Sequence, residues 1–433
     1  MNSALVFTVV IISDLLLLKI CRATWMEWSH PIFLIDVFYM LLIIAAYIGL
    51  KKYPWSFEGI AWITTALYFL TIGGALGKQI YRNKRSYYIA KNTVYVQISN
   101  KAWLFVVSIT ALGIAGAIYQ VLYNGFSLSD FTSLDSLAQM NNAVAVERYS
   151  GGGQSNIFTK ISTIAAYIPP VCGGLLFPFS NTKFQKGLSL STMLPILLLL
   201  LFTNGKAGFL ASLVLWGSSF LTAYFYRYKK APAINFRKLL FYSLGAVLVL
   251  GILLFTMMLR IGKVDIATFE IVTDKFMSYA FGGIQSFDRW LSFGRDNIEY
   301  SAGVQTFMGF FQALGIVHRK QGVYTFLPGT SSNVYTLFRG VIEDFGVLGG
   351  LVFVAVCGCF AGYCSEGIRC SVSLPVLPVV TTVGICFFFI YGYIISPWIY
   401  SSFIVMMVAF AYFLMLCKKR SIRVKLGKIK LLG

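Results

Sequence analysis

Runs of about twenty apolar residues recur along the chain, and that feature constrains its fold more than any other. The hydrocarbon core of a bilayer is about 30 Å thick, and about 20 residues of helix cross it. No water reaches the backbone there, so each crossing segment must satisfy its own N–H and C=O groups, which a helix does. We place spans at 4–20, 31–50, 57–76, 102–123, 157–178, 188–203, 207–225, 239–258, 345–364, 377–395 and 399–417. The expected fold is an all-α polytopic membrane protein of eleven transmembrane helices, forming one integral membrane domain over residues 1–433.

Charge orients these spans. Only 12% of the residues are charged, against roughly 25% in soluble domains. Yet 36 Lys and Arg face 16 Asp and Glu, a net charge of +20. The basic residues sit between apolar runs, which is the excess expected of cytoplasmic loops and not a nucleic-acid-binding domain. Lys78, Arg82, Lys84, Arg85, Lys91 and Lys101 follow the third span. Arg227, Lys229, Lys230, Arg237 and Lys238 precede the eighth, and a basic tail occupies 418–433. With eleven spans all three groups fall on one side, the cytoplasm. Lys51 and Lys52 then fall on the other side, and a twelfth span or a re-entrant segment near the N-terminus would move them. The first run has Lys19 and Arg22 after it, and it reads as a retained span with its N-terminus outward, not a cleaved signal.

Two outward segments have length, 124–156 and 259–344. The second is the larger and is expected to be partly helical. It balances eight basic residues (Arg260, Lys263, Lys275, Arg289, Arg295, Arg319, Lys320, Arg339) against eight acids (Asp265, Glu270, Asp274, Asp288, Asp296, Glu299, Glu343, Asp344). A mixed-charge, aromatic-rich loop of this size suits recognition of a polar substrate. The eight Cys fall within spans or at cytoplasmic ends, so no disulfide framework is implied, and two His make a zinc site improbable.

The most informative stretch is YTFLPGTSSNVYTLFRGVIEDFGVLGG, 324–350. Pro328-Gly329 marks a turn, and Ser331 or Ser332 is placed to cap a helix starting near Asn333. Arg339 and Glu343 are one turn apart on that helix. Gly346 and Gly350 give a small-residue face for close packing. In GGIQSFDRWLSF, 282–293, the aromatic side chains of Phe287, Trp290 and Phe293 suggest a membrane-surface helix. Asp14 and Asp36 lie inside spans, with Lys19 or Arg22 as the expected partners, and His30 before Pro31 reads as structural.

The segment NVYTLFRGVIEDFGVLGG resembles the signature of the O-antigen polymerases (Wzy) and related repeat-unit polymerases: Asn-x-[YF]-T, then Asp-Phe-Gly at the membrane edge and a Gly-rich span. Its specific residues cover about twenty positions, while the general layout of the chain agrees throughout. The resemblance implies a multispanning, GT-C-like glycosyltransferase of the bacterial inner membrane with its site facing the periplasm. Such enzymes join undecaprenyl-pyrophosphate-linked oligosaccharides without metal or other cofactor. Their partners are the lipid-linked oligosaccharide, membrane lipids and a chain-length regulator of Wzz type, with no nucleic acid.

Against that chemistry, a leaving pyrophosphate calls for Arg, which is always charged and can hold two oxygens. Arg260, Arg289, Arg295, Arg319 and Arg339 are the outward candidates, and Lys206 in TNGKAG stands where many such enzymes carry Gly-x-Arg. Asn333 and Tyr335 belong to the signature and are candidates for sugar binding. His318 is the candidate base, with Glu343 and Asp344 as rivals. Two alternatives remain: a lipid-linked oligosaccharide ligase, which shares carrier, side and layout, and a flippase, which is a different class. A flippase is expected to line an inner cavity with charge and to have short loops.

Overall fold

The computed structural model describes residues 3–25, 28–84, 98–127, 130, 133–150, 156–233, 235–294, 300–318, 324 and 327–417. Their regular structure is entirely helical, without a strand. In chain order the helices are α1 (Ser3–Trp25), α2 (Pro31–Gly49), α3 (Glu58–Lys84), α4 (Asn100–Tyr123), α5 (Leu134–Ser150), α6 (Ile157–Leu176), α7 (Lys183–Ser191) and α8 (Leu194–Thr203). They continue with α9 (Lys206–Tyr228), α10 (Phe236–Ile261), α11 (Ile266–Phe293), α12 (Met308–Ala313), α13 (Leu337–Cys370), α14 (Val376–Tyr391) and α15 (Ser401–Cys417).

Among the described residues, eight helical segments are long and apolar enough to cross a membrane: α2, α3, α4, α6, the joined α7–α8, α9, α10 and α13. α14 and α15 are shorter apolar helices. α1 has 23 residues and carries Asp14, Lys19 and Arg22. The chain is thus a helical, multi-pass membrane protein. The span expected at 188–203 is broken: α7 ends at Ser191 and Pro195 sits in the first turn of α8. Asn204, in the left-handed conformation, ends α8, and α9 begins at once with Gly205 as its N-cap.

Two ends can be told apart. Arg82 pairs with Glu366 at 3.0 Å. Lys229 donates to the carbonyls of Ile368 and Ser371, both at 2.9 Å. These contacts gather the ends of α3, α9 and α13 at one basic end. The starts of the same helices form the distal end. Lys51 and Lys52 remain there, exposed in the α2–α3 turn, with no additional helix among the described residues to relocate them.

α3 and α13 make the closest helix pair. An added Cβ at Gly73, Gly77, Gly358 or Gly362 would overlap a backbone carbonyl of the other helix: Ala355, Cys359, Leu70 and Gly74 respectively. Two Gly-xxx-Gly faces therefore meet, which suits association in lipid, where close van der Waals approach replaces the hydrophobic effect. Of the glycine pair expected to do this, Gly350 does pack closely against α3, but Gly346 does something else. Gly346 adopts φ 78°, ψ 171° and kinks α13, while Gly350 meets Trp62.

α11 lies across the distal end as a crossbar. Its Val272 packs with Met257 and Met258 of α10, its Met277 and Phe281 meet Gly49 at the end of α2, and its Asp288 sits at the start of α3. The last contact is a clasp. The Asp288 carboxylate accepts from the amides of Ser56, Phe57, Gly59 and Ile60 and from Ser56 Oγ, at 2.6–3.3 Å. It satisfies donors that the first turn of α3 leaves open and opposes the positive end of the helix dipole.

Two local expectations are corrected, and a third holds. Phe287 and Trp290 do not lie on the membrane surface: they are buried in the core, and of the three only Phe293 is exposed. The buried acids do not pair with Lys19 or Arg22, which are exposed; Asp36 accepts from Thr71 Oγ1 at 3.2 Å. His30 is structural as expected, accepting from Ile32 N as the N-cap of α2 and stacking on Trp25 at 3.7 Å.

Candidate functional site

The distal end holds two separate polar centres, both organised by α11. The first is a cavity of about 660 Å³. Three cations from three segments line it: Lys206 at the start of α9, Arg260 at the end of α10 and Lys275 on α11. None of its described lining residues is acidic. Gln120, Thr163, Asn204 and the tyrosines Tyr167, Tyr279 and Tyr393 add hydrogen-bonding groups, and Leu199, Leu210, Leu253, Met257 and Phe276 form an apolar floor.

The local sequence explains how these cations converge. Asn204 donates through Nδ2 to the Thr256 carbonyl at 2.8 Å and accepts from Lys206 Nζ, so the α8–α9 corner is tied to α10 and its lysine is held in place. Asn142 of α5 donates to the Arg260 carbonyl at 2.9 Å, which fixes the end of α10. The first residues of α9, Lys206, Ala207 and Gly208, line the same space. The positive end of the α9 dipole favours negative charge, adding to the three cations.

The second centre surrounds Arg339 on α13. Its Nε–H donates to Glu343 at 2.8 Å, and its guanidinium lies 4.0 Å from the ring centre of Tyr324, 4.3 Å from that of Tyr335 and 5.0 Å from that of Trp290. Both charged side chains are mostly buried, at 12% and 16% exposure. Burial, then the neighbouring Glu343 carboxylate, pushes the Tyr324 phenol well up, so its hydroxyl stays protonated. Arg339 Nη1 is buried without a hydrogen-bond partner, which the aromatic faces offset in part.

The sequence-derived candidates therefore divide. Lys206 and Arg260 meet in the cavity, with Lys275 as a third member. Lys275 stood among eight loop cations with nothing local to single it out; only the crossbar brings it there. Arg339, Glu343 and Tyr335 meet in the aromatic box. Lys275 and Trp290 are fifteen residues apart on α11, about 22 Å along its axis, so the two centres are distinct.

The remaining candidates are placed elsewhere. Asp344 is not a free base: it accepts from Ser301 Oγ at 2.5 Å and from the amides of Gln305 and Thr306 at 2.9 and 2.6 Å, so both oxygens are taken in a clasp on the 300–306 loop. Asn333 is exposed in an extended strap that precedes α13, and neighbouring Val334 lines the cavity. The helix does not start near Asn333. Ser331 and Ser332 bond to Gln285 and Ser286 of α11, leaving Thr336 as the N-cap. Arg289 lies 4.1 Å from the Phe293 ring centre, next to Gly329, and lines neither centre. His318 is exposed after α12, away from the cavity lining. Arg295 and Arg319 lie outside the described residues.

No group of three or more metal-ligating His, Cys, Asp or Glu occurs among the described residues. A triad of cations beside a helix N-terminus, over an apolar floor, can hold a polyanionic headgroup attached to an apolar chain. Compared with protein-family models, with curated proteins and with solved structures, the chain matches none.

Proposed function

We propose that this protein is a glycosyltransferase of the O-antigen polymerase type, acting in the bacterial inner membrane with its distal end toward the periplasm. Its substrates in this reading are oligosaccharide repeat units on undecaprenyl pyrophosphate. The observation that carries the reading is the convergence of Lys206, Arg260 and Lys275 on one cavity at the start of α9. A diphosphate concentrates negative charge on oxygens that these cations and the α9 amides are placed to meet.

In the reaction, a hydroxyl of the next repeat unit attacks the anomeric carbon of the growing chain. The bond from that carbon to the diphosphate oxygen breaks, and the hydroxyl proton leaves to solvent or to a base. Charge builds on the departing oxygen, where preorganised cations lower the barrier most. The carboxylate of Asp344 is committed to its loop, so it is left out of the base role. Arg339 and Glu343 serve as a sugar-side centre or as a brace for α13, and the multispanning GT-C-like architecture belongs to this reading.

The test is purified protein in detergent with undecaprenyl-pyrophosphate repeat units and no added metal or nucleotide. A ladder of lengths, lost in Lys206→Ala and Arg260→Ala proteins that still fold, supports the polymerase. Glycosylation of a lipid A acceptor without a ladder would assign a ligase. Silence in both would move the protein to transport.

A further inference from the structure

The cavity has a continuation. α9 and α10 are antiparallel, joined by the link at 229–235, and both reach the cavity at the distal end. Between those points the two helices do not pack as a close pair. Around α10, Leu239, Leu240, Phe241, Tyr242, Leu244, Val247 and Leu248 are all 50–72% exposed, so this half of the helix leans on nothing in the chain. From Leu239 to Met258 it carries no charged residue.

Helical spacing shows which faces look at the gap. On α9, Lys206 and Leu210 line the cavity, and the same stripe continues through Leu213 to Phe220 and Tyr224. On α10, Arg260, Met257 and Leu253 line it, and their stripe continues through Val249 and Ala246 to Tyr242. Tyr224 and Tyr242 end the two stripes toward the basic end. The α10 stripe is small at its middle, and nothing lies within 4 Å of a Cβ added at Gly245. On α9, Phe220 and Tyr224 are half-buried aromatics with ring centres 5.9 Å apart, and Phe220 also meets Trp216 and Phe177.

We infer that the α9–α10 cleft is the docking groove for a polyisoprenoid chain whose phosphorylated head occupies the three-cation cavity. This rests on the reading of the cavity given above and adds where the lipid lies and which helix forms its side wall. Eighteen residues separate Tyr242 from Arg260, about 27 Å of helix, close to the roughly 30 Å of a hydrocarbon core. A chain descending from the cations therefore stays beside apolar and aromatic side chains for the whole depth. A second copy of this protein is the competing occupant. It is disfavoured because the gap opens into a cation cavity and a packed helix would leave those cations covered and unanswered.

The experiment separates head from chain. Two probes are used on the purified protein: undecaprenyl phosphate, and geranyl diphosphate, whose chain is too short to reach Ala246. Ala246→Trp fills the cleft face of α10, and Leu244→Trp alters its opposite face as a control. Ala246→Trp is expected to weaken undecaprenyl phosphate binding about tenfold while leaving geranyl diphosphate within twofold, and Leu244→Trp to change neither. Lys206→Ala is expected to weaken both probes. The cleft is overturned if Ala246→Trp leaves undecaprenyl phosphate binding intact, if it weakens both probes equally, or if light scattering shows that it dissociates a dimer. A polymer ladder alongside any of those results would remove the cleft alone. If Lys206→Ala affects neither probe, the cavity reading falls as well.

Discussion

Arg339 donates its Nε proton to Glu343, one turn further along α13, at 2.8 Å, from inside a box formed by Trp290, Tyr324 and Tyr335. Removing one member of such a pair strands the other in an apolar place, at a cost near the low end of about 3–5 kcal/mol because both groups keep some exposure. Arg339→Ala is expected to lower the thermal unfolding temperature in detergent, and Arg339→Met with Glu343→Leu to recover most of the loss. If polymer formation recovers in the double variant, the pair is a brace; if stability returns without activity, the pair acts on substrate.

The cavity cations are expected to act together on one headgroup. Each single Ala substitution at Lys206, Arg260 or Lys275 removes a charged contact to phosphate, typically about 1.5–3 kcal/mol, or roughly tenfold to a hundredfold in affinity. Isothermal titration with undecaprenyl phosphate measures this. Lys275→Ala is the sharpest case, since a loop lysine with no role would give no change. The affinity of the native protein should also fall as salt rises.

Asp288 is expected to be structural. Asp288→Ala leaves the amides of Ser56, Phe57, Gly59 and Ile60 without their acceptor. Several charge-assisted bonds are lost together, so a destabilisation of about 2–4 kcal/mol is expected. Proteolysis of the native protein should then begin near the α2–α3 turn. Asp288→Asn keeps one acceptor oxygen and should be milder.

The glycine seam can be tested against a built-in control. Gly77→Ala and Gly362→Ala place a Cβ against the carbonyls of Cys359 and Gly74, and overpacking of this kind costs about 1–3 kcal/mol. Gly245→Ala on α10 meets nothing within 4 Å and should not destabilise; alanine's better helix propensity favours it by up to about 1 kcal/mol. Unfolding of the three variants in one detergent gives the comparison.

Gly346 is held at φ 78°, ψ 171°, a conformation essentially confined to glycine that costs a residue with a Cβ about 1–3 kcal/mol. Gly346→Ala is expected to straighten α13 at its kink and loosen the adjacent Asp344 clasp. Increased proteolysis of the 300–306 loop would report it.

Length and hydropathy by themselves determined the helical membrane class and the approximate place of most spans, because a backbone in lipid has few other options. The i, i+4 relation of Arg339 and Glu343 was legible for the same kind of reason: helix geometry makes it local. What the sequence could not decide was which distant groups would share a space. Lys206 lies 54 residues before Arg260, and Arg260 fifteen before Lys275, and only the docking of α11 at the distal end brings all three to one cavity. Asp344 read as a candidate base until the 300–306 loop folded onto it, and Ser332 read as a helix cap until Ser286 claimed it. The glycine seam shows the same limit. Gly73-xxx-Gly77 and Gly358-xxx-Gly362 were in view, but spacing alone does not say which small-residue face meets which, since that choice is made by the docking of two whole helices.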